Sequence, residues 1–248
     1  VASPLEQFEI KPVYPIEVSG YDLSFTNASA FMIGALVLIW LFMFLGMRKA
    51  ELVPGRWQSA VESIYDFVHG MVDQNIGPKG KKYVPFIFTL FMFILVANVA
   101  GLLPYSFTVT SHLAVTFAFA ALIFVMCIII GIARHGIHWF SYFLPPGTPL
   151  WLVPLMIFIE IVSFLSRPIT LSVRLFANMT AGHILLKVFA GFVISLGLAG
   201  GIWSVVAVLP LIMNVALYAL ELLVAVVQAY VFALLATIYL NDSINLEH

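Results

Sequence analysis

Glu160, Arg167, Arg174, Lys187 and Glu221 fall inside two stretches that are otherwise almost wholly apolar, Trp151 to Val188 and Ile202 to Leu240. A single charge at the centre of a bilayer costs about 2.5–3.5 kcal/mol on insertion scales and over 10 in simulations. Summed over five, even the low figure rivals the roughly 5–15 kcal/mol that stabilises an ordinary domain. Groups that costly are kept for pairing, for contact with water or for function, although Lys187 has a long stem near a helix end and can snorkel. Spacing sorts them. Glu160, Arg167 and Arg174 are seven residues apart, so on a helix each is turned only about 20° from the last. Thr170 and Asn178 lie four residues either side of Arg174 and share its face. His183 is nine residues beyond Arg174, about 180° round, with Lys187 beside it. The helix therefore has two polar faces, and Arg174 and His183 cannot front the same surface. On the last stretch Asn214, Glu221 and Gln228 repeat every seven residues, with Tyr218 beside them. Glu221 is the natural partner for His183, a pairing suited to proton exchange near physiological pH. Bonding that merely glues helices together accounts for Asn98, alone on its helix. It does not account for Arg174, which is flanked by Leu171, Val173, Leu175 and Phe176 with no acid within one turn.

Other chemistries are missing. The chain has no Lys-Ser/Thr phosphate loop, paired-His zinc helix, serine elbow or dinucleotide fingerprint, so no nucleotide chemistry, cofactor or metal is expected. His135 and His138 share a loop without carboxylate or cysteine company. The single cysteine, Cys127, sits in an apolar run and reads as a small buried hydrophobe. Asn178-Met179-Thr180 matches a glycosylation sequon by coincidence, inside an apolar helix.

The elements that must position these residues follow from composition. Of 248 residues 62% are hydrophobic and 9% charged, against roughly 25% charged in soluble domains. Such a chain is an integral membrane protein, and a net charge of −1 without a basic stripe excludes nucleic acid as a partner. The expectation is a single all-α membrane domain over residues 1–248. It comprises a polar extended segment (1–25), a first span (30–47), an amphipathic surface helix (55–77), a spanning hairpin (83–133) and a pair of long helices (151–240). Six of eleven basic residues fall between Arg48 and Lys82, which assigns that segment to the inner side and the N-terminus to the outer side. In the surface helix Trp57, Val61, Ile64, Tyr65, Val68, Met71, Val72 and Ile76 form one face; Gln58, Glu62, Asp66, His69 and Asp73 form the other. That acidic face argues for docking on protein rather than anionic lipid; a helix merely connecting two spans is the alternative. Pro104 and the run Ser106–His112 divide the hairpin, and Pro145, Pro146, Gly147 and Pro149 mark the next turn. Each of the last two helices would run to about 55–58 Å across a hydrocarbon core of about 30 Å. We expect them steeply tilted, separated by Gly197, Gly200 and Gly201, with a local kink at Pro168; a break at Pro168 or Pro210 is the alternative.

The run Arg174-Leu-Phe-Ala-Asn178-Met-Thr-Ala-Gly-His183 resembles the signature of the subunit a family of F-type ATP synthases. Ser3-Pro-Leu-Glu-Gln-Phe-Glu-Ile, Leu103-Pro-Tyr-Ser-Phe-Thr, Pro146-Gly-Thr-Pro-Leu, Gln228-Ala-Tyr-Val-Phe and Tyr239-Leu-Asn-Asp extend the likeness over the whole chain. The resemblance implies a proton-conducting stator beside a rotating ring of c subunits. Two offset half-channels would carry protons to and from that ring, and the peripheral stalk and other membrane-sector subunits would be further partners. By resemblance Arg174 faces the ring carboxylate, keeps it ionised and blocks direct leakage. Asn178, His183, Glu221 and Gln228, with Asn214, would line the outer path, and Glu160 the inner exit. Arg167 has a basic counterpart in the family without a secure role. Proton rather than sodium specificity is likewise implied.

The enteric bacterial form carries an acid where this chain has His183 and a histidine where it has Glu221. The swapped pair, as in mitochondrial and some alphaproteobacterial forms, preserves a relay but leaves open which member carries the proton. The swap and a first residue other than Met lead us to expect the mitochondrial inner membrane, with a bacterial plasma membrane as the alternative. An independent proton-coupled secondary transporter would need an internal repeat that the chain lacks, and a purely structural anchor leaves Arg174 unexplained.

Overall fold

In a lipid interior a segment must satisfy its own backbone, and the helix is the form in which one segment can. The computed structural model describes residues 9–15, 17–18, 21–22, 24–48, 51, 53–103, 106–143 and 152–245. Among them, five helical stretches are long and apolar enough to cross a membrane: Asn27–Met47, Arg56–Gly101, Leu113–Trp139, Val153–Ala199 and Ile202–Ile244. The turn expected at Pro145–Pro149, the residue Trp151 and the motif residues 3–8, Pro104 and Tyr105 lie outside the described residues.

Short strands precede the first span: β1 (Pro12–Tyr14) pairs antiparallel with β4 (Phe25–Thr26), and β2 (Glu17–Val18) with β3 (Tyr21–Asp22). Asn27 ties this segment down. Its backbone N–H donates to the Lys11 carbonyl, its side-chain oxygen accepts from the Lys11 N–H, and its amide donates to the Glu9 carbonyl. Helix α1 (Asn27–Met47) starts before residue 30 because the Ser29 N–H donates to Thr26 Oγ1 and caps the first turn.

Helix α2 (Arg56–Ile76) is the amphipathic helix, and it buries Val61, Val68, Met71, Val72 and Ile76 as the periodicity requires. Gln58, expected on the polar face, is buried instead. Its amide exchanges two hydrogen bonds with the Glu51 backbone and donates a third to Glu62 Oε1 at 2.7 Å. Trp57 and Tyr65, expected on the buried face, are exposed, although the Tyr65 ring leans on Phe88 at 5.7 Å. Helices α3 (Val84–Gly101) and α4 (Leu113–His135) form the hairpin, joined by a loop that holds a 3-10 turn at Val109–Ser111.

Helix α5 (Val153–Ala199) is longer than expected, with 47 residues rather than ending at Val188. That corresponds to about 70 Å of helix. It runs through Pro168 without a break. The hydroxyls of Ser166 and Thr170 donate to carbonyls around the proline, at 2.7 Å to Ser163 and at 3.0 Å to Ser166 and Arg167, where no water is at hand to do so. Gly197 lies inside the helix. The turn is made by Gly200 and Gly201, at φ 71° and 59°, which a side chain would strain. The second long helix is two pieces, α6 (Ile202–Val206) and α7 (Val208–Ile244), divided at Ala207. Pro210 falls in the first turn of α7, where a missing N–H matters least.

Packing divides the chain into two compact units: Val1–Met43, Met92–His112 and Leu175–Ala229 in one, Phe44–Phe91, Leu113–Arg174 and Tyr230–His248 in the other. In the first, Asn98 is fully buried, donates to the Ala225 carbonyl at 3.2 Å and accepts from Thr110 Oγ1 at 2.8 Å. Ala225 and Ala229 are buried without remainder, and such small residues let helix backbones approach. In the second unit Phe67 packs on Phe91 and Tyr230, the Thr116 and Ser172 hydroxyls meet at 3.2 Å, and Lys79 donates to Asn245 Oδ1 at 2.9 Å.

Asn98 thus serves both α7 and the loop. In lipid-reconstituted protein Asn98→Ala should cost about 1–2 kcal/mol, read as a lower thermal midpoint. The Asn98→Ala/Thr110→Val double variant should lose less than the sum of the single variants; strict additivity would show that the two side chains are uncoupled.

Candidate functional site

In the first unit α5 and α7 meet over two ionisable side chains. His183 Nε2 and Glu221 Oε1, both on buried residues, stand 3.6 Å apart, within ion-pair reach but too far for a hydrogen bond. Thr108, from the α3–α4 loop, brings its hydroxyl to 2.9 Å of the same ring nitrogen. Among the described residues neither oxygen of Glu221 has a hydrogen-bond partner, and neither does Oδ1 of Asn214. Buried acceptors of that kind cost free energy until a proton or water serves them. Beside them a cavity of about 530 Å³ is lined by His183, Lys187, Asn214 and Tyr218, with Leu186. A water occupies roughly 30 Å³ of liquid, so the space can take a chain of them.

Backbone shape makes this meeting possible. A Cβ on Gly182 would lie 2.7 Å from Glu221 Oε1 and 2.8 Å from its Cδ, so only glycine lets the carboxyl lie against α5. The loop is held by hydroxyls, one its own and one from α5: Ser111 Oγ donates to the Thr108 carbonyl at 2.6 Å, and Thr180 Oγ1 donates to the Ser111 carbonyl at 3.4 Å. The Tyr218 hydroxyl donates to the Leu102 carbonyl at 3.4 Å. His112 closes the loop, stacked on Phe107 at 4.9 Å, and burial holds its imidazole below the ordinary pKa.

In the second unit Arg167 donates to Asp242 Oδ2 at 2.8 Å, and its guanidinium lies over the rings of Tyr239 (5.1 Å) and Phe164 (5.7 Å). Its charge is therefore neutralised within the chain. Arg174 is treated differently. It is exposed, with Ile169 and Val173 exposed near it and Leu171 and Leu175 buried. Among the described residues no hydrogen bond or ion pair reaches it. Glu160, Asn178 and Gln228 are half-buried, and none of them makes a hydrogen bond or ion pair with a described residue. His135, considered above as a loop histidine, bonds through Nε2 to the Ile244 carbonyl at 3.2 Å.

Of the residues expected to carry chemistry, the structure brings together His183, Glu221, Asn214, Lys187 and Tyr218. Among the described residues it joins none of Arg174, Asn178, Glu160 and Gln228 to a hydrogen-bond or ion-pair partner. Sequence reasoning missed Thr108, Gly182 and Asp242. An acid near the end of an apolar helix, with Arg167 lacking a counter-charge, was the available signal for Asp242. A glycine beside a buried histidine was the signal for Gly182.

Residues 29–241 match the family model described as ATP synthase A chain. The chain is 52% identical over 245 residues to ATP synthase subunit a of Rhodospirillum rubrum, covering 99% of both chains. It is also 52% identical to ATP synthase subunit a of Agrobacterium fabrum (99% of this chain, 98% of that one). The subunit of a Methylobacterium species is 50% identical over 246 residues, at the same coverage.

Gly182→Ala forces the Glu221 carboxyl away from α5. In sealed vesicles proton conduction should fall about tenfold or more, the scale of one lost well-placed interaction, while the protein still inserts. Undiminished conduction would show that the position of Glu221 is not used.

Proposed function

The chain belongs to the ATP synthase A chain family, that of subunit a, and on that premise we propose that it is the proton-conducting stator of a rotary F-type ATP synthase, with two offset half-channels serving a ring of c subunits. The observation that carries the reading is the division of labour on α5. An exposed guanidinium without a partner among the described residues stands on one face. A buried His183–Glu221 pair stands on another, beside a largely apolar cavity that Lys187, Asn214 and Tyr218 also line.

A proton from the outer side enters the cavity past Lys187, Asn214 and Tyr218 and reaches the His183–Glu221 pair. Asn178 and Gln228 carry the path on towards the ring, and Glu160 serves the exit to the inner side, where the basic residues of 48–82 lie. Arg174 meets the ring's carboxylate as it arrives deprotonated. A guanidinium stays charged even when buried, whereas a lysine can lose its proton and open a leak. The chain itself performs no nucleotide chemistry; it works with the c ring, the peripheral stalk and the other membrane-sector subunits. An independent secondary transporter would have no use for an unpartnered cation on an apolar face.

The chain is a multi-pass membrane protein. The expectation of a mitochondrial inner membrane gives way: the relatives at 50–52% identity are alphaproteobacterial, which favours the plasma membrane of a bacterium.

The test is ATP-driven proton pumping in sealed vesicles, with ATP hydrolysis assayed in parallel, for wild type, Arg174→Ala and Arg174→Lys. Both variants should assemble and lose pumping. Normal pumping by Arg174→Ala would reduce the arginine to a packing residue and sink the mechanism.

A further inference from the structure

We propose that Thr108 is a positioning residue of the relay, a hydroxyl rotor that keeps Nε2 of His183 hydrogen-bonded both with and without its proton. The proposal rests on the relay reading given above. Thr108 is buried. Its Oγ1 lies 2.9 Å from His183 Nε2 and 3.3 Å from the Gly101 carbonyl oxygen. A carbonyl can only accept, a ring nitrogen donates when protonated and accepts when bare, and a hydroxyl does both with one proton to place. Two arrangements follow. When Nε2 is protonated it donates to Thr108 Oγ1, and the hydroxyl proton points to the Gly101 carbonyl. When that proton passes to the Glu221 carboxylate, an imidazolium and a carboxylate become a neutral imidazole and a carboxylic acid. The threonine hydroxyl then turns from the carbonyl to the bare nitrogen. Only a hydrogen rotates. Ionised Glu221 cannot take this role, because a carboxylate only accepts.

The surroundings keep the rotor in place. Thr108's own carbonyl accepts from Ser111 Oγ at 2.6 Å, and neighbouring Thr110 is bonded to Asn98 at 2.8 Å. A Cβ on Gly101 would come within 2.8 Å of Thr108 Cγ2 and 2.9 Å of its Oγ1, as one on Gly182 would collide with Glu221. Glycines thus clear the space on both sides of the histidine's partners. The charged and titratable groups that share this space are Glu221 and Tyr218 from α7, Lys187 from α5 and, further along the loop, His112.

Losing the hydroxyl removes the partner at 2.9 Å that serves Nε2 in both protonation states. The test uses the intact complex in sealed vesicles, with ATP-driven pumping measured against pH for wild type, Thr108→Val, Thr108→Ser and Arg174→Ala. We expect Thr108→Val to pump about tenfold more slowly, the scale of one unsatisfied buried polar group, with its pH–rate profile displaced from that of the wild type. Thr108→Ser should restore most of the rate and the wild-type profile. A wild-type rate and profile in Thr108→Val overturns the proposal, as does an equal defect in Thr108→Ser. If Thr108→Val fails to assemble, Thr108→Ala, which adds no volume, is read in the same way; failure of that variant too assigns Thr108 to packing and overturns the proposal. Normal pumping by Arg174→Ala would instead overturn the relay reading, whatever the Thr108 variants do.

Discussion

A hydrocarbon interior offers a polar group no water, so each must be satisfied by the protein or be held at a cost of several kcal/mol. That constraint orders the molecule. Asn98 is satisfied by a backbone carbonyl and by Thr110. Arg167 is satisfied by Asp242 and two aromatic rings. His183 is addressed by Thr108 and Glu221. Once these are accounted for, Arg174 stands out as a cation on an exposed, largely apolar surface. Among the described residues it has no ion-pair partner, and the proposed mechanism supplies one as an acid on another subunit.

Satisfying polar groups between helices requires the helices to come close, and small residues make that possible. Gly182 admits the Glu221 carboxyl and Gly101 admits Thr108. Ala225, Ala229, Ala233 and Ala236 are buried without remainder along α7. Hydrophobic burial does not drive association between helices in lipid, because the tails are as apolar as the side chains. Close backbone approach and the polar contacts it permits therefore supply much of the specificity, and an added methyl at Gly182 or Gly101 would displace the Glu221 carboxyl or the Thr108 side chain.

The class of fold was legible because composition and charge placement are coarse signals that a bilayer amplifies. The His183–Glu221 pairing was legible because a seven- and nine-residue spacing fixes faces on any helix. What escaped depended on groups that carry no periodic signal. Thr108 acts from a loop, where no register predicts which hydroxyl meets which ring. Gln58 reads as polar and exposed until the backbone of Glu51 is known to be within its reach. The ends of α5 and α7 were misjudged because positive-φ glycines at 200 and 201 end the helix, while Gly197 is absorbed within it. Pro168 was expected to kink the helix, with a break as the alternative; α5 runs on through it unbroken, and hydroxyls from Ser166 and Thr170 serve nearby carbonyls.

The two faces of α5 bear on coupling. A proton falling through a potential of 100 mV releases about 2.3 kcal/mol, and the stator has only to forbid the shortcut that would dissipate it. His183 and Arg174 lie nine residues apart on one helix, about half a turn round and some 13 Å along the axis. In the proposed mechanism a proton delivered at His183 does not pass directly to the guanidinium's face. The remaining way forward is a carrier that takes the proton from one position and surrenders it at another. In that mechanism the fixed positive charge of Arg174 admits the carrier's carboxylate only in its ionised form, so each passage past it would be made empty. The proposed coupling of conduction to motion then rests on electrostatics and on the separation of His183 from Arg174 along and around one helix.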